Sequence, residues 1–231
     1  MRQLPLAVGL HPAATFDVFH PGDNAAPVAH LRGLACDGSG AKPAQVYLWG
    51  PPGAGKTHLL QACCHLCATR GQRAVYVSLD ALGNHAEEAM AGLETLSMVC
   101  VDDLEGIAGR RERETAVFSL INACRSSGTT LVFGAGCSPS GLGIGLPDLA
   151  SRLVWGAVYR VRPLDDGGKL VALENHARQR GFDLSREVGA YLLNHCSRDM
   201  IGLMRLVERL DRGSLAAKRR ITIPFIKTLL Q

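Results

Sequence analysis

One stretch of eight residues constrains this chain more than any other feature. Residues 50–57 read Gly-Pro-Pro-Gly-Ala-Gly-Lys-Thr and fit the pattern G-x-x-x-x-G-K-[ST]. An apolar run at residues 46–49 precedes the stretch, and residues 58–68, with apolar side chains at helical spacing, follow it. In this order of strand, loop and helix, the backbone N–H groups of the loop can surround phosphate oxygens. The sequence therefore predicts a nucleotide site.

Two side chains of the loop have separate predicted roles. Lys56 adds a cation near the phosphates, and the Thr57 hydroxyl can ligate Mg²⁺. A glycine-rich turn that matches by chance is the alternative, and the predicted strand and helix on either side disfavour it. The expected nucleotide-binding residues of this segment are Gly50, Pro51, Pro52, Gly53, Ala54, Gly55, Lys56, Thr57 and His58.

A short apolar run that ends in two acidic residues supplies a second part of the site. Residues 97–101 include β-branched side chains, and Asp102 and Asp103 follow directly, as in a Walker B strand. Strands that end in Asp are common in α/β proteins, but the upstream phosphate loop makes this one part of a nucleotide signature. We expect Asp102 to orient the Mg²⁺ and Asp103 to lie near the attacking water.

Length and composition limit the class of protein. The chain has 231 residues, 47% hydrophobic and 20% charged, which suffices for one core and a small second domain. Because no stretch approaches about eighteen unbroken apolar residues, a membrane protein is not expected. Pro5, Gly9 and His11 interrupt the short apolar N-terminal segment, so a secretory signal is not expected either. We expect a cytoplasmic protein with eight reduced cysteines.

The cysteines after the loop have an alternative interpretation as a metal site. Cys64 and Cys67 have C-x-x-C spacing, and Cys63 and His65 lie beside them. No second ligand pair follows at the spacing of a zinc finger, and the inner face of this helix needs small residues. We therefore favour core cysteines over zinc ligands.

Strand and helix signals alternate as far as Pro163, which predicts an α/β fold with a parallel sheet and crossover helices. One amphipathic helix is marked by Ala86, Ala89, Met90 and Leu93. The other elements predicted here are strands at residues 74–78, 97–101, 129–135 and 158–161, and a helix at 112–127 that Gly128 ends.

After Pro163 the pattern is helical. It predicts three helices, at residues 170–180, 185–196 and 200–215. Ser185 is a good N-cap for the second helix, and Pro224 can open a fourth. We therefore expect a tail at residues 1–12, an α/β nucleotide-binding domain at 13–163 and a small all-helical lid domain at 164–231.

A phosphate-loop domain followed by a helical lid is the plan of the AAA+ ATPases. Residues 15–19 with 22–24 resemble the N-terminal box of the DnaA initiators, residues 101–109 their Walker B segment, and residues 146–156 their seventh box. The similarity extends from about Thr15 to the end of the sequence. The chain lacks room for the initiators' helix-turn-helix domain and long N-terminal region, so it resembles the Hda group of DnaA-related regulators within this P-loop AAA+ family.

This resemblance implies roles that the patterns alone do not assign. Asp23 and Asn24 of the N-terminal box would contact the nucleotide, and Arg152 of the seventh box would act in trans as an arginine finger. The alternative for Arg152 is a structural ion pair with Asp148, at i,i+4 spacing. A peptide that matches the Q-L-x-L core of a ligand for the replicative sliding clamp consists of Gln3, Leu4, Pro5 and Leu6.

Departures from the AAA+ pattern lower the expected ATPase activity of the chain itself. Gly134 and Ala135 stand where a polar sensor residue is usual. Ile201 stands where the lid arginine is usual, although Arg198 or Arg205 could substitute from about one helical turn away. Such residues contact the γ-phosphate or stabilise its departure. We expect firm binding of ADP or ATP and weak hydrolysis.

Together these features predict a negative regulator of DNA replication initiation. Bound to nucleotide and to the DNA-loaded clamp, the β subunit of the replicative polymerase, it would stimulate hydrolysis of DnaA-bound ATP. Contact with DNA would be indirect, through the clamp. An autonomous AAA+ ATPase or a helicase-loader-type adaptor is the alternative. The sequence leaves open the choice between ADP and ATP and whether the chain forms a homo-oligomer.

Overall fold

The structure, a computed structural model, describes residues 9–37, 44–196, 199–217 and 221–230. These residues form two compact units. The first consists of the residues up to Phe16 together with Asn24–Arg162, and the second of Asp17–Asp23 together with the residues from Pro163 onward. No helix in these described ranges is long and apolar enough to cross a membrane.

The first unit contains a five-stranded sheet in which neighbouring strands run parallel. Its strands are β1 (Gln45–Trp49), β2 (Ala74–Ser78), β3 (Met98–Asp102), β4 (Thr130–Ala135) and β5 (Ala157–Arg160), in the order β2-β3-β4-β1-β5. The central strands β3 and β4 are buried along almost their whole length, as expected for apolar runs covered on both faces. Because the strands are parallel, Gly50 and Asp102 lie at the same edge of the sheet.

Helices flank the sheet, with short 3₁₀ turns between them. The helices of this unit are α1 (Ala25–Asp37), α2 (Lys56–Thr69), α3 (Leu79–Leu82), α4 (Ala86–Ala89), α5 (Arg111–Ser127) and α6 (Pro147–Leu153). The 3₁₀ turns of this unit are Gly83–His85, Leu93–Thr95, Leu104–Ile107 and Pro139–Gly141. A further 3₁₀ turn, Gly22–Asn24, precedes α1 in the chain, and its first two residues belong to the second unit.

Helices α5 and α2 cover opposite faces of the sheet. Successive side chains of a strand point to opposite sides of the sheet, so neighbouring residues of β3 pack against different helices. Val99 and Phe133 share one core cluster with Val117 of α5. On the other face Cys67 of α2 packs against Met98, with their sulfur atoms 3.9 Å apart. The sheet therefore has one apolar layer on each side.

The cysteines of α2 belong to the second of these layers. Cys63, Cys64 and Cys67 are at most 2% exposed, which confirms their prediction as core residues. Cys63 and Cys64 lie beside Cys100 of β3. Burial raises the pKa of Cys67 to about 12, so this side chain is a thiol at neutral pH. In the part of the chain that the structure describes, no group of three or more His, Cys, Asp and Glu side chains could hold a metal ion.

The second unit is helical. Its helices are α7 (Asp166–Gln179), α8 (Arg186–His195), α9 (Met200–Ala217) and α10 (Ile223–Leu230). All four contribute to one buried cluster, with Leu173, Leu192, Val207 and Ile226 among its members. The Arg180 guanidinium, just after α7, donates to the Asp211 carboxylate of α9 at 2.8 Å. The sequence prediction of an α/β sheet domain followed by a helical lid is confirmed.

Predicted helix ends agree with the structure where a cap was recognised. The Ser185 hydroxyl accepts a hydrogen bond from the Val188 N–H at 3.3 Å and begins α8. Gly128 ends α5 with a φ of 82°, in the left-handed region that glycine tolerates. Both caps are therefore confirmed.

Two parts of the fold differ from the sequence prediction. The single helix predicted around residues 86–93 is shorter than expected, since α4 ends at Ala89 and a 3₁₀ turn follows at Leu93–Thr95. Gly92, between them, has a φ of 81°, in the left-handed region that glycine tolerates. The prediction also lacked α1, although Pro27 in its first turn and the buried Leu31 and Ala35 gave a signal at four-residue spacing.

Candidate functional site

The loop between β1 and α2 has a backbone that requires glycine. Gly53 and Gly55 have φ values of 76° and 102°, which L side chains rarely adopt. At Gly50 an added Cβ would lie 2.3 Å from the carbonyl oxygen of Val161, so no larger residue fits. Because Gly55 directly precedes α2, the loop ends at a helix N-terminus, where backbone N–H groups favour an anion.

Lys56 folds back over this loop. Its ammonium group donates to the carbonyl oxygens of Gly50 at 2.7 Å and Pro51 at 3.1 Å. The Ala54 N–H donates to the same Pro51 carbonyl at 3.2 Å. Pro51 and Pro52 are exposed. The positive charge of Lys56 therefore lies against the loop backbone, close to where phosphates would meet it.

Asp102 is the centre of a buried hydrogen-bond network at the end of β3. Its Oδ2 accepts from the Thr57 hydroxyl at 2.6 Å and from the Tyr76 hydroxyl at 3.0 Å, and its Oδ1 accepts from the Asp103 N–H at 3.1 Å. The residue is only 2% exposed. Burial, followed by the Asp102 charge and hydrogen bond, raises the pKa of Tyr76, which keeps this phenol a donor. The Thr57 hydroxyl and the Asp102 carboxylate thus place two hard oxygen atoms side by side.

Asp103 has an unusual backbone and a specific partner. It is the only non-glycine residue with a positive φ among the described residues, at 58°. Its Oδ2 accepts from the Ser78 hydroxyl at 2.6 Å. Burial raises the pKa of Asp103, as do the nearby charges of Asp102 and Glu105, while the Ser78 hydrogen bond acts in the opposite direction.

Sequence reasoning missed the two hydroxyl donors, Tyr76 and Ser78. Ser78 is the last residue of β2 and pairs in register with Asp102. The available signal was its position, because polar residues at the carboxyl ends of adjacent parallel strands meet at one edge of the sheet.

The β4 end of the site has little space for a polar side chain. An added Cβ at Gly134 would lie 2.3 Å from Oδ1 of Asp102. Ala135 is buried, and the Gly136 N–H donates to the Glu105 carboxylate at 3.1 Å. Glycine at position 134 is therefore what allows Asp102 to occupy its observed position.

The lid residues considered as sensors lie in the second unit. Ile201 is 46% exposed on α9, and Arg205 is exposed one turn further along the same helix. Arg198 lies outside the described residues.

Two residues that were expected to bind nucleotide make backbone contacts. The Asn24 carboxamide donates to the Arg162 carbonyl at 2.9 Å and accepts from the Arg162 N–H at 2.8 Å. The His58 ring bonds to the Thr15 carbonyl at 2.8 Å through Nε2, and burial lowers the pKa of this histidine. Asp23 is exposed and belongs to the second unit. The structure thus uses Asn24 and His58 to fix neighbouring backbone, and their nucleotide contacts stay predictions.

Arg152 lies in the last turn of α6, with its guanidinium carbon over two aromatic rings. Its guanidinium carbon is 4.3 Å from the ring centroid of Phe118 and 4.9 Å from that of Trp155. The guanidinium carbon of Arg125 lies 4.2 Å from the same Trp155 ring. No ion pair between Asp148 and Arg152 occurs among the described residues. The geometry therefore gives no support to the alternative that Asp148 neutralises Arg152.

Two further residues fix α6 from either end. The buried Glu114 carboxylate of α5 accepts from the N–H groups of Gly145 at 3.0 Å and Leu146 at 2.8 Å, directly before the helix. At the other end, the Gln45 amide donates to the Arg152 carbonyl at 2.8 Å. Sequence reasoning missed both contacts, since each joins residues far apart in the chain.

The residues of the predicted clamp peptide, Gln3, Leu4, Pro5 and Leu6, lie outside the described residues.

The residues present fit the phosphate groups of a nucleotide together with Mg²⁺. The glycine-dependent loop presents a helix N-terminus, Lys56 supplies a cation, and Thr57 with Asp102 supplies the hydroxyl and carboxylate oxygens that Mg²⁺ prefers. A parallel sheet in the order β2-β3-β4-β1-β5, this loop after β1 and a separate helical unit define a P-loop ATPase module of the AAA+ class.

Comparison with known proteins identifies the branch within this class. Residues 10–160 match the bacterial DnaA ATPase domain, and residues 166–230 match the lid domain of Hda. The chain belongs to the bacterial DnaA family of AAA+ ATPase domains, and it is of the Hda type. It is thereby a DnaA-related regulator of replication initiation.

Solved structures share the fold at low sequence identity. Domain III of the Thermotoga maritima replication initiation protein DnaA is 20% identical and has a TM-score of 0.80, over 96% of this chain and 98% of that chain. AMPPCP-bound DnaA from Aquifex aeolicus is 22% identical with a TM-score of 0.70, over 87% and 67%. The Thermotoga maritima RuvB Holliday junction branch migration motor is 18% identical with a TM-score of 0.61, over 87% and 64%.

Proposed function

We propose that this chain is a negative regulator that switches off the initiator DnaA by stimulating hydrolysis of DnaA-bound ATP while held on the sliding clamp. The observation that carries the proposal is the Arg152 guanidinium, which rests on Phe118 and Trp155 and has no ion pair with Asp148 among the described residues. The match of residues 10–160 to the DnaA ATPase domain supports the choice of partner.

The chain's own nucleotide, ADP or ATP, has a structural role in this proposal. The loop from Gly50 to Thr57 would hold the phosphates beside Lys56. Thr57 and Asp102, whose oxygens are 2.6 Å apart, would hold the Mg²⁺, which neutralises phosphate charge when bound. Gly134 lacks a side chain that could assist Asp103 in orienting water, so we expect slow hydrolysis by the chain itself.

Arg152 would act on the partner's nucleotide. Negative charge is spread over the phosphoryl oxygens in the transition state, and a guanidinium brought in by a neighbouring subunit stabilises it. The planar fork of donors suits this geometry better than an ammonium group does. An arginine supplied in trans is worth about 10³ to 10⁵ in rate.

The sliding clamp would raise the local concentration of the regulator at replicating DNA. The tail residues Gln3, Leu4, Pro5 and Leu6 would bind the clamp as an extended peptide, with Leu4 and Leu6 in an apolar pocket. A tether of this kind makes the second encounter effectively intramolecular. DNA would then be reached only through the clamp.

The experiment is single-turnover hydrolysis of ATP pre-bound to DnaA, with clamp-loaded DNA and each variant. Arg152→Ala should lose the stimulation, and Arg152→Lys should recover little of it. The matched control is Arg160→Ala, because the Arg160 guanidinium stacks on Trp49, the only other tryptophan of the chain, at 5.2 Å. Gln3→Ala combined with Leu4→Ala should lose both clamp binding and stimulation.

Undiminished stimulation by Arg152→Ala would remove Arg152 from the catalytic role. Unchanged clamp binding by the doubly substituted tail would show that the clamp peptide is misassigned. Steady-state ATP turnover by the isolated protein, at a rate that DnaA does not change, would favour an autonomous ATPase.

A further inference from the structure

Around Trp155 lies a group of aromatic rings and guanidinium groups that the nucleotide site does not use. We propose that Phe118 and Trp155 are positioning residues, which hold the Arg152 guanidinium ready for an anionic phosphoryl group of the partner. This proposal rests on the proposed function, because it concerns how the arginine finger is prepared before the partner arrives. Neither ring would touch the reacting atoms.

The distances give Arg152 two aromatic contacts at once. Its guanidinium carbon lies 4.3 Å and 4.9 Å from the ring centroids of Phe118 and Trp155. Both values are within the reach of a cation–π interaction, for which about 6 Å is the limit. The guanidinium carbon of Arg125 also lies over the Trp155 ring, 4.2 Å from its centroid, so a second cation contacts this ring. Two positive groups therefore share one surface ring.

One face of α5 supplies most of this arrangement. Glu114, Phe118 and Arg125 follow each other at four- and seven-residue spacing, which puts them on one stripe of the helix. Glu114 fixes the start of α6 through the N–H groups of Gly145 and Leu146. Phe118 meets Arg152, and Arg125 meets Trp155. This stripe of α5 thus contacts the segment from Gly145 to Trp155, which includes Arg152, at both ends.

The end of this segment is fixed as tightly as its start. The Gln45 amide holds the Arg152 carbonyl at 2.8 Å. An added Cβ at Gly156 would lie only 1.8 Å from the Gln45 carbonyl oxygen, so the chain passes against β1 directly after Trp155. The backbone of this segment is therefore fixed at both ends. The two rings then determine the orientation of the Arg152 guanidinium.

Stacking has a specific chemical advantage for such an arginine. A ring that contacts the flat face of a guanidinium leaves the N–H groups at its edges available to phosphate oxygens. A carboxylate partner would occupy those same N–H groups and neutralise the charge. A flexible arginine also loses rotamer freedom when it meets the partner, and prior stacking reduces that loss. The arrangement keeps the charge and orders it in advance.

The first test needs no partner. Ring currents shift protons that lie over an aromatic face upfield, so the Arg152 side-chain protons should appear upfield in the NMR spectrum of the wild-type protein. Arg152→Lys identifies these signals by their loss. Phe118→Leu and Trp155→Leu should each move the signals toward the position of an unstructured arginine, and Arg160→Leu should leave them in place. Unshifted Arg152 signals in the wild type would overturn the proposal.

The second test measures stimulation of DnaA-bound ATP hydrolysis at increasing concentration of each variant. Phe118→Leu and Trp155→Leu should each lower the maximal rate about five- to tenfold, the size of one partly desolvated cation–π contact. The concentration at half-maximal rate should stay close to that of the wild type, because a positioning residue does not contact the partner. Trp155→Phe keeps a ring and should restore most of the rate, which loss of general stability would not predict.

The outcomes separate this proposal from the proposed function. Full stimulation by Arg152→Ala would refute the proposed function, while the NMR test of the stacked guanidinium would still stand. Loss of stimulation in Arg152→Ala together with wild-type maximal rates in both leucine variants would refute the positioning role alone. Leucine variants with an unchanged maximal rate and a raised half-maximal concentration would also refute it, because the rings would then be docking residues.

Discussion

The nucleotide loop and the Arg152 surface belong to the same unit, yet they are built from different materials. At the loop, backbone shape decides the site: Gly50, Gly53 and Gly55 occupy positions where a side chain would clash or be strained. At Arg152, side chains decide it, through stacking on Phe118 and Trp155. The backbone of the loop can surround a ligand of this chain. The guanidinium of Arg152 instead lies at the surface, where a partner can reach it.

The two regions also differ in how their charges are balanced. Lys56 donates to two carbonyl groups of its own loop, and Asp102 accepts three hydrogen bonds from its neighbours. Arg152 and Arg125 instead share an aromatic ring that carries no charge. A region whose polar groups are satisfied internally is suited to hold a resident ligand. A region that keeps net positive charge near the surface is suited to meet an anionic partner.

The largest expected effect is a loss of stabilisation by bound nucleotide, which should occur in loop variants and not in variants of the Arg152 surface. A ligand that binds only the native state stabilises it by about 2.7 kcal/mol at a concentration one hundred times its Kd. Lys56→Ala should lose most of this stabilisation by ADP and Mg²⁺, because the loop then lacks its cation. Thermal melting with and without ADP and Mg²⁺ measures the shift.

Arg152→Ala is the control for that measurement, and it should keep the full shift with ADP. The shift is the quantity to compare, since Lys56→Ala also removes two loop hydrogen bonds and lowers the starting melting temperature. Equal shifts in Lys56→Ala and the wild type would break the distinction between the regions.

The sequence was informative where backbone geometry leaves few choices. The loop pattern requires glycines and a lysine in a fixed order, and Asp102 follows an apolar strand, so both were predicted together with the parallel sheet. The hydrogen bond between Thr57 and Asp102 follows from this, because parallel strands and the loop after β1 end at one edge. These features are local, or follow from a single rule of sheet geometry.

The sequence was less informative where packing between distant segments decides. Glu114 and Phe118 appear in the sequence as two residues of an amphipathic helix, and their contacts to Leu146 and Arg152 depend on how α6 packs against α5. The helix predicted near residue 90 ends early for a local reason, since Gly92 adopts a positive φ. The two hydrogen bonds between the Asn24 carboxamide and the Arg162 backbone join residues far apart in the chain, so no sequence pattern indicated them.

An intermediate effect is expected where a glycine gives room to Asp102. Gly134→Ala would bring a Cβ to 2.3 Å from Oδ1 of Asp102, so the carboxylate or the strand must move. Overpacking of this kind costs about 1–3 kcal/mol of stability. Because Thr57 shares Asp102, the Mg²⁺-dependent part of nucleotide binding should weaken as well. Urea denaturation and ADP titration with and without Mg²⁺ measure the two effects.

Gly33→Ala is the matched control, since nothing lies within 4 Å of a Cβ added at this position of α1. That variant should be as stable as the wild type or more so, because alanine favours a helix over glycine by about 1 kcal/mol. If Gly134→Ala behaves like Gly33→Ala, the end of β4 tolerates a side chain, and backbone shape does not decide this part of the nucleotide region.

The smallest expected effect is a pH dependence at the edge of the nucleotide region. Burial lowers the pKa of His58 below its ordinary value of 6.5, the neighbouring His11 and His65 lower it further, and the bond to the Thr15 carbonyl acts in the opposite direction. A lowered native pKa means that the unfolded chain binds the proton more readily. The contribution of His58 is therefore complete above about pH 6.5 and is lost as pH falls through the native pKa.

Between pH 7.5 and pH 5.5 this loss should be at most about 1.4 kcal/mol, the limit that the ordinary histidine pKa sets for one group. His58→Gln keeps an N–H donor for the Thr15 carbonyl but cannot be protonated, so its stability should fall less over the same interval. The difference between the two urea denaturation series isolates His58 from the other histidines. Arg152→Ala leaves His58 and its neighbours unchanged, so this variant should show the wild-type slope. A His58→Gln slope equal to that of the wild type would mean that the ring is protonated without penalty in the native protein, and that its bond to Thr15 does not depend on the neutral form.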